Sequence, residues 1–199
     1  MVLETGTAKP VWRRQYPIPK AAQPAVNQQV QKWIDNGKVV PAPAGCSWNN
    51  PLLAVPKKDS DGYKTKVRVC LDSRPINQLL PDDKFPMPLI SEIFARLGGK
   101  RYFSTLDLEE AYLQLPIRRD HQLKTTFTWA DRQWMFAGAP FGLKPISSVL
   151  QRLMTVLLSS CLHVNVFQDD ITIATASSDP HHHISVTTAV IKDSYASEP

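Results

Sequence analysis

The chain has 199 residues, of which 43% are hydrophobic, enough for one or two modest globular cores. Its +5 formal charge is uneven: residues 1–104 carry 16 Lys+Arg against 8 Asp+Glu, and residues 105–199 carry 7 against 10. Cys46, Cys70 and Cys161 are odd in number and far apart, which excludes a disulfide framework and points to a reducing compartment. No apolar run approaches the roughly 20 residues of a membrane span, and no secretory leader is expected.

Residues 1–22 form an extended, basic, proline-containing lead-in. A helix is predicted from about Pro24, with Val26, Val30, Trp33 and Ile34 at helical spacing and Gly37 just past its end. After a loop over 41–51, Leu52–Lys58 and Tyr63–Leu71 read as the arms of a hairpin turned by Asp59-Ser60-Asp61-Gly62. Period two sets Val67, Val69 and Leu71 against Lys64, Lys66 and Arg68, so the three cations share a face. That basic face has two readings, a phosphate clamp or lysines that keep an exposed edge from aggregating. Pro86 and Pro88 precede a helix whose Ile90, Ile93, Phe94 and Leu97 share a face, ended by Gly98-Gly99. Strands are predicted at Tyr102–Leu108, then near 114–117, 125–129 and 133–136. Pro145 suits the first position of a helix with Ile146, Val149, Leu150, Leu153 and Leu157 as its buried stripe. A last helix runs from about Asp179 to Lys192. Antiparallel strands mixed with helices, without β-α-β alternation, predict an α+β fold.

The chemistry concentrates in two places. Phe167-Gln168-Asp169-Asp170 lies between the strand-like runs 164–166 and 171–174, so the acidic pair falls at their turn. Adjacent carboxylates on a tight hairpin repel, and a divalent cation would relieve that; Asp is also an ordinary turn residue. Asp107 closes a second strand-like run. Side by side in one sheet, Asp107, Asp169 and Asp170 would hold two Mg²⁺ ions roughly 3.5–4 Å apart, with Mn²⁺ as a substitute. The histidine run 181–183 points its side chains in different directions along a helix and is not read as a metal site. Trp129 and Trp134 flank a hairpin turn and read as packed core rather than base-stacking rings.

The runs FSTLDLEEAYLQLPI, APFGLKPISSVLQRLM and FQDDI, with NNPLLAVPKKDSDGYKTKVRVCLDSRPIN upstream, resemble the palm and fingers of a reverse transcriptase of gypsy-class LTR retrotransposons and their retroviral relatives. The resemblance spans about residues 11–191 in family order. It implies fingers over 23–81 and 115–144, an incomplete palm over 82–114 and 145–192, and an off-family tail over 193–199. It implies an RNA-directed DNA polymerase that adds dNTPs to a primer on an RNA or DNA template. Asp107, Asp169 and Asp170 would be the catalytic and metal-binding carboxylates, joined by the backbone carbonyl of Leu108. Lys57 and Arg68 would grip the triphosphate. Tyr112 would lie under the nucleotide sugar and exclude a 2′-hydroxyl, unless it is a plain core tyrosine. Phe141 and Gly142 would shape the nucleotide pocket, unless they form an ordinary turn. Gln168, Arg74, Gln151 and Arg152 are assigned to template and primer, with Arg152 also readable as a solvated helix residue.

Four positions depart from the family: Phe167 replaces a usual Tyr, Gln168 a usual apolar residue, Ser73 a usual aromatic, and Leu150 a common Phe. Similar polymerases continue into more palm, a thumb and an RNase H domain, so a truncated copy of a polyprotein is expected. Partners would be template with primer, dNTPs, and possible self-association or the remainder of a Pol polyprotein, with no membrane. An intracellular location follows, in cytoplasmic virus-like particles or the nucleus. The alternative is a catalytically silent remnant that binds nucleic acid through its basic fingers.

Overall fold

The computed structural model describes residues 1–57 and 66–195. In chain order the elements are α1 (Gln23–Asp35), β1 (Val39–Pro41), β2 (Leu52–Lys57), β3 (Lys66–Leu71), α2 (Arg74–Asn77), α3 (Ile90–Leu97), β4 (Tyr102–Asp107), α4 (Arg119–Gln122), β5 (Phe127–Trp129), β6 (Arg132–Phe136), α5 (Ile146–Leu157), β7 (Val164–Phe167), β8 (Asp170–Thr175) and α6 (Pro180–Tyr195). Every pairing between these strands is antiparallel. With helices interspersed, the fold is α+β. The chain divides into two compact units, Met1–Asp82 with Tyr112–Ile146, and Asp83–Ala111 with Ser147–Pro199.

The first unit is built on α1. Pro24 sits in its first turn, where a missing N–H costs nothing, and Gly37 at φ +64° follows its end. Val26, Val30 and Trp33 face inward and meet Val39, Leu52, Val69, Leu71, Phe127 and Phe136. Trp33 meets Phe136 edge-on at 5.1 Å, and Phe127 and Phe136 are fully buried, each contributing roughly 1.5–3 kcal/mol. Two sheets, β1-β6-β5 and β2-β3, carry these side chains. Trp129 and Trp134 are partly buried against the same core. The second unit is a sheet of order β4-β8-β7. On α6, His183 is buried; its Nε2 meets Ser104 Oγ at 2.9 Å and its Nδ1 meets Thr175 Oγ1 at 3.0 Å, which pins the helix to that sheet.

Several sequence expectations change. The strand expected near 114–117 is a 3-10 turn, Ala111–Gln114, followed by a lone bridge between Pro116 and Gly138. Gly138 permits that approach, because a Cβ there would stand 2.0 Å from the Leu113 carbonyl oxygen. The stripe of α3 is open: the helix buries no residue, and Ile90 and Phe94 are 60% and 66% exposed. On α5, Leu153 and Leu157 are exposed, and the buried positions are Ile146, Leu150, Gln151 and Met154, followed by Leu158. The buried face is thus rotated from the expected one and contains a glutamine. The expected turn 59–62 and Lys64 lie outside the described residues, as do residues 196–199 of the tail.

Candidate active site

The β4-β8-β7 sheet brings the three carboxylates to one end. Asp107, the last residue of β4, is the register partner of Asp170, the first residue of β8. Directly opposed residues on antiparallel strands point to the same face. Phe167 also pairs with Asp170, so the hairpin turn consists of Gln168 and Asp169. Asp170 therefore lies in the strand, and Asp169 alone of the pair occupies the turn. Leu108 follows β4 directly. Phe103, Thr105 and Asp107 share the exposed side of β4, while Tyr102, Ser104 and Leu106 on its other side are half-buried. Among the described residues, no hydrogen bond or ion pair neutralises Asp107, Asp169 or Asp170.

Like charges directly opposed across strands are destabilising. An uncompensated acidic pair with a third carboxylate in the adjoining turn is an oxygen-rich, hard-donor set. Among the described residues no three His, Cys, Asp or Glu side chains close into a metal cage. Mg²⁺ is not held in such cages. It keeps several waters and binds one or two carboxylates together with substrate phosphates. The donor set fits that mode.

Gln151 sets the turn. It is 1% exposed, and its Oε1 accepts the Gln168 backbone N–H at 2.7 Å. Its Nε2 donates to the Val166 carbonyl at 3.2 Å and to Thr155 Oγ1 at 3.3 Å. Gln168 has φ +57°, a region that favours glycine at the first position of a two-residue hairpin turn. The assignment of Gln151 to template contact is corrected: its amide is engaged inside the hairpin. The helical period carried the signal, since Leu150, Met154 and Leu158 place position 151 on the inner side of α5.

Two further residues assigned to template or primer have internal partners. Arg74 donates Nε and Nη2 to the two carboxylate oxygens of Asp72, each at 2.8 Å. Asp72 is 2% exposed and also accepts from Tyr16 Oη at 3.3 Å. The Arg74 hydrogen bonds hold the Asp72 carboxyl below the usual carboxylate range, against the opposing effect of burial. Arg152 pairs with Asp83 at 2.7 Å and lies 5.0 Å above the Phe85 ring.

The residues assigned to the nucleotide lie in the first unit. Lys57 and Arg68 are exposed on the face of the β2-β3 ladder opposite to Leu52, Val69 and Leu71. Tyr112 meets Phe141 edge-on at 5.7 Å, and Phe141 is 56% exposed. Gly142 follows with φ +96°, a conformation that a side chain would strain. Sequence reasoning missed Asn77, whose Nδ2 donates to the Gly142 carbonyl at 2.8 Å and whose Oδ1 accepts the Lys144 N–H at 2.8 Å. These two bonds fix the Phe141-Gly142 turn, and no spacing rule links residues so far apart in sequence.

Residues 55–195 match the family model described as reverse transcriptase (RNA-dependent DNA polymerase). The chain is 31% identical over 182 residues to the retrovirus-related Pol polyprotein from transposon 297 of Drosophila melanogaster, covering 90% of this chain and 17% of that one. It is 38% identical over 152 residues to that from transposon 412 of the same organism, covering 76% of this chain and 12% of that one. The crystal structure of native prototype foamy virus protease-reverse transcriptase superposes with a TM-score of 0.80 at 27% identity, covering 96% of this chain and 24% of that one. A foamy viral protease-reverse transcriptase bound to an RNA/DNA hybrid gives the same TM-score, 0.80, over 95% of this chain and 25% of that one. The chain thus spans less than a fifth of these Pol relatives, and by the match over 55–195 it belongs to the reverse transcriptase (RNA-dependent DNA polymerase) family.

Proposed function

We propose that this chain carries the nucleotidyl-transfer centre of an RNA-directed DNA polymerase, adding dNTPs to a primer 3′ end on an RNA or DNA template. The observation that carries this reading is the Asp107–Asp170 register pair with Asp169 in the adjoining turn, none of the three paired with a cation among the described residues. Asp107, Asp169 and Asp170, with the Leu108 carbonyl, are the groups that would hold the ions. Two divalent cations, Mg²⁺ or Mn²⁺, would supply a lowered pKa at the attacking 3′-hydroxyl and charge neutralisation on the departing pyrophosphate.

The chain's own residues supply binding and position. Arg68 and Lys57 present cations on an open sheet face, and a guanidinium matches phosphate through two parallel hydrogen bonds. Tyr112, backed by Phe141, offers a ring to the nucleotide sugar, and a 2′-hydroxyl would collide with it. Asn77 keeps the Phe141-Gly142 turn in place, and Gln151 keeps the Gln168-Asp169 turn in place. Positioning of this kind is where much of the rate arises.

The test is dNTP incorporation on poly(rA)/oligo(dT) with Mg²⁺ or Mn²⁺, comparing wild type with Asp169→Asn. Incorporation that the substitution abolishes supports the proposal. A wild-type protein that binds the primed template but adds no nucleotide with either metal fits the silent remnant instead.

A further inference from the structure

The histidines of the second unit make a contact that nucleotidyl transfer does not use. The run 181–183 on α6 does not converge on itself: His183 is buried against Ser104 and Thr175, while His181 and His182 are exposed. The partner of His182 comes from another element. His163, in the turn between α5 and β7, stands with its ring centre 6.4 Å from that of His182, the two planes inclined at 79°. Both residues are open to solvent, and among the described residues neither ring has a hydrogen-bond or ion-pair partner. Such a pair offers two imidazoles to one point in solvent, and imidazole is the commonest protein ligand of transition metals.

Both rings stand on fixed backbone. The His163 carbonyl accepts the Ala174 N–H at 2.9 Å, which ties the turn to β8. His163 has φ +71°, a left-handed conformation that glycine adopts without strain. Strained non-glycine positions cluster at ligand clamps and active sites. His182 directly precedes His183, whose two bonds pin α6 to the same sheet. The spacing suits one ion: nitrogens about 2.0–2.1 Å from a zinc ion set ring centres roughly 5–6 Å apart, and a small rotation of either exposed ring closes the difference. His182 lies in the first turn of α6, where the helix dipole disfavours a cation. Asp179 counters that with a carboxylate at the helix start, its Oδ1 accepting the His181 N–H at 2.9 Å. Among the described residues no third His, Cys, Asp or Glu completes a cage, so water fills the other coordination positions.

We infer that His163 and His182 form a two-imidazole site for Zn²⁺, chemically distinct from the carboxylate set of Asp107, Asp169 and Asp170. Carboxylates suit the hard Mg²⁺ ion, whereas imidazole suits borderline ions such as Zn²⁺. The bound ion links the α5–β7 turn to the first turn of α6. It acts as a brace, because an ion that binds only the folded chain stabilises it. The inference goes beyond the polymerase reading and does not rest on it.

The test is a Zn²⁺ titration of the reduced full chain in excess Mg²⁺, followed by imidazole nitrogen NMR and by thermal unfolding. The ring nitrogens of His163 and His182 are expected to shift on one saturation curve while those of His121 and His183 stay in place. The melting temperature should rise by about 3–6 °C at an ion concentration about tenfold above the dissociation constant. His163→Gln or His182→Gln should weaken binding at least about tenfold and remove the rise, whereas His181→Gln should leave both intact. All three side chains are exposed, and far-UV circular dichroism confirms that each variant is folded. Ring shifts on two separate curves, or none, overturn the inference. So does wild-type affinity in His163→Gln, or a loss in His181→Gln equal to that in His182→Gln. Nucleotide addition and its dependence on Asp169 are read in the separate extension assay, so the brace can fail while the polymerase reading stands.

Discussion

Gln151→Leu is the sharpest probe of how the carboxylates are held. Leucine keeps most of the volume on the buried face of α5 and removes the three hydrogen bonds from the amide to Gln168, Val166 and Thr155. Thr155 keeps another partner, the Gln151 carbonyl at 2.7 Å. The Gln168 N–H and the Val166 carbonyl each lose a partner in a part-buried site, at about 1–3 kcal/mol apiece. The bond to Gln151 also offsets the strain at Gln168, whose φ of +57° costs about 1–3 kcal/mol, and its loss leaves that strain unopposed. The sum exceeds what a two-residue turn can absorb, so the turn relaxes and Asp169 moves. A displacement near 1 Å at a reacting centre costs about 100-fold in rate. Primer extension should therefore show kcat reduced by about that factor with KM for dNTP changed far less. Amide exchange should show the Gln168 N–H losing protection. Global stability should fall by about 2–6 kcal/mol, the cost of the two lost partners alone, because the leucine still fills the core. Full kcat with an unchanged Gln168 exchange rate would show that Gln151 merely packs.

Three other outcomes follow from single contacts. Gly138→Ala drives a methyl against the Leu113 backbone, 2.0 Å from its carbonyl oxygen, and should cost several kcal/mol and lower the melting temperature sharply; an unchanged melting curve contradicts the packing. His121 is buried, and its Nδ1 accepts the Leu3 N–H at 2.9 Å, with Lys124 Nζ 2.7 Å from the Leu3 carbonyl. Burial first, then Lys124 and Arg118, pushes its pKa below the ordinary value, outweighing Asp120 and Glu4. Its contribution to stability is therefore full above about pH 6.5 and is lost as pH falls through the lower folded value. His121→Gln should flatten the stability profile as pH falls below about 6.5, and an unaltered acid slope would contradict this. Asp107→Asn removes the like charge opposite Asp170, so it should abolish nucleotide addition and yet stabilise the fold by ~0.2–1 kcal/mol in thermal unfolding; a lower melting temperature would mean the pair is not repulsive.

Much of the scaffold was legible because it obeys local rules. The α1 stripe of Val26, Val30 and Trp33 follows helical spacing, with Pro24 in the first turn and Gly37 after the last. The β2 and β3 arms follow period two, and the pattern of Val69 and Leu71 inside with Arg68 outside was readable directly. Expectations failed where distant backbone decided the outcome. Residues 114–117 have strand-like composition, but Leu115 and Ile117 donate backbone N–H groups to Tyr112 and Ala137, giving a turn and a bridge rather than a ladder. The phase of α5 was misread because leucines were assumed to point inward. Leu153 and Leu157 are exposed, as are Ile90 and Phe94 of α3, so hydrophobicity alone did not identify the buried sides. Arg152 looked free in sequence because Asp83, which holds it, lies far away in the chain, whereas Asp72, which holds Arg74, stands only two residues before it.

The departures from local rules gather at one corner of the second unit. A non-glycine residue sits at φ +57° in a two-residue turn, a glutamine takes a buried helix position among aliphatic neighbours, and two carboxylates face each other across a ladder with no cation paired to them among the described residues. Each is unfavourable alone. Together they are mutually dependent: Gln151 is buried because the turn needs its amide, and the turn is strained because that geometry sets Asp169 beside the strand that presents Asp170 opposite Asp107. A sequence under selection for stability alone would place glycine at 168, an aliphatic residue at 151 and uncharged partners at 107 and 170. Clustered violations that share one set of contacts mark a site where geometry was favoured over stability. The same reasoning explains why the strongest sequence signal, the acidic pair, revealed the chemistry while the hydrogen bonds by which Gln151 positions it were visible only in the fold.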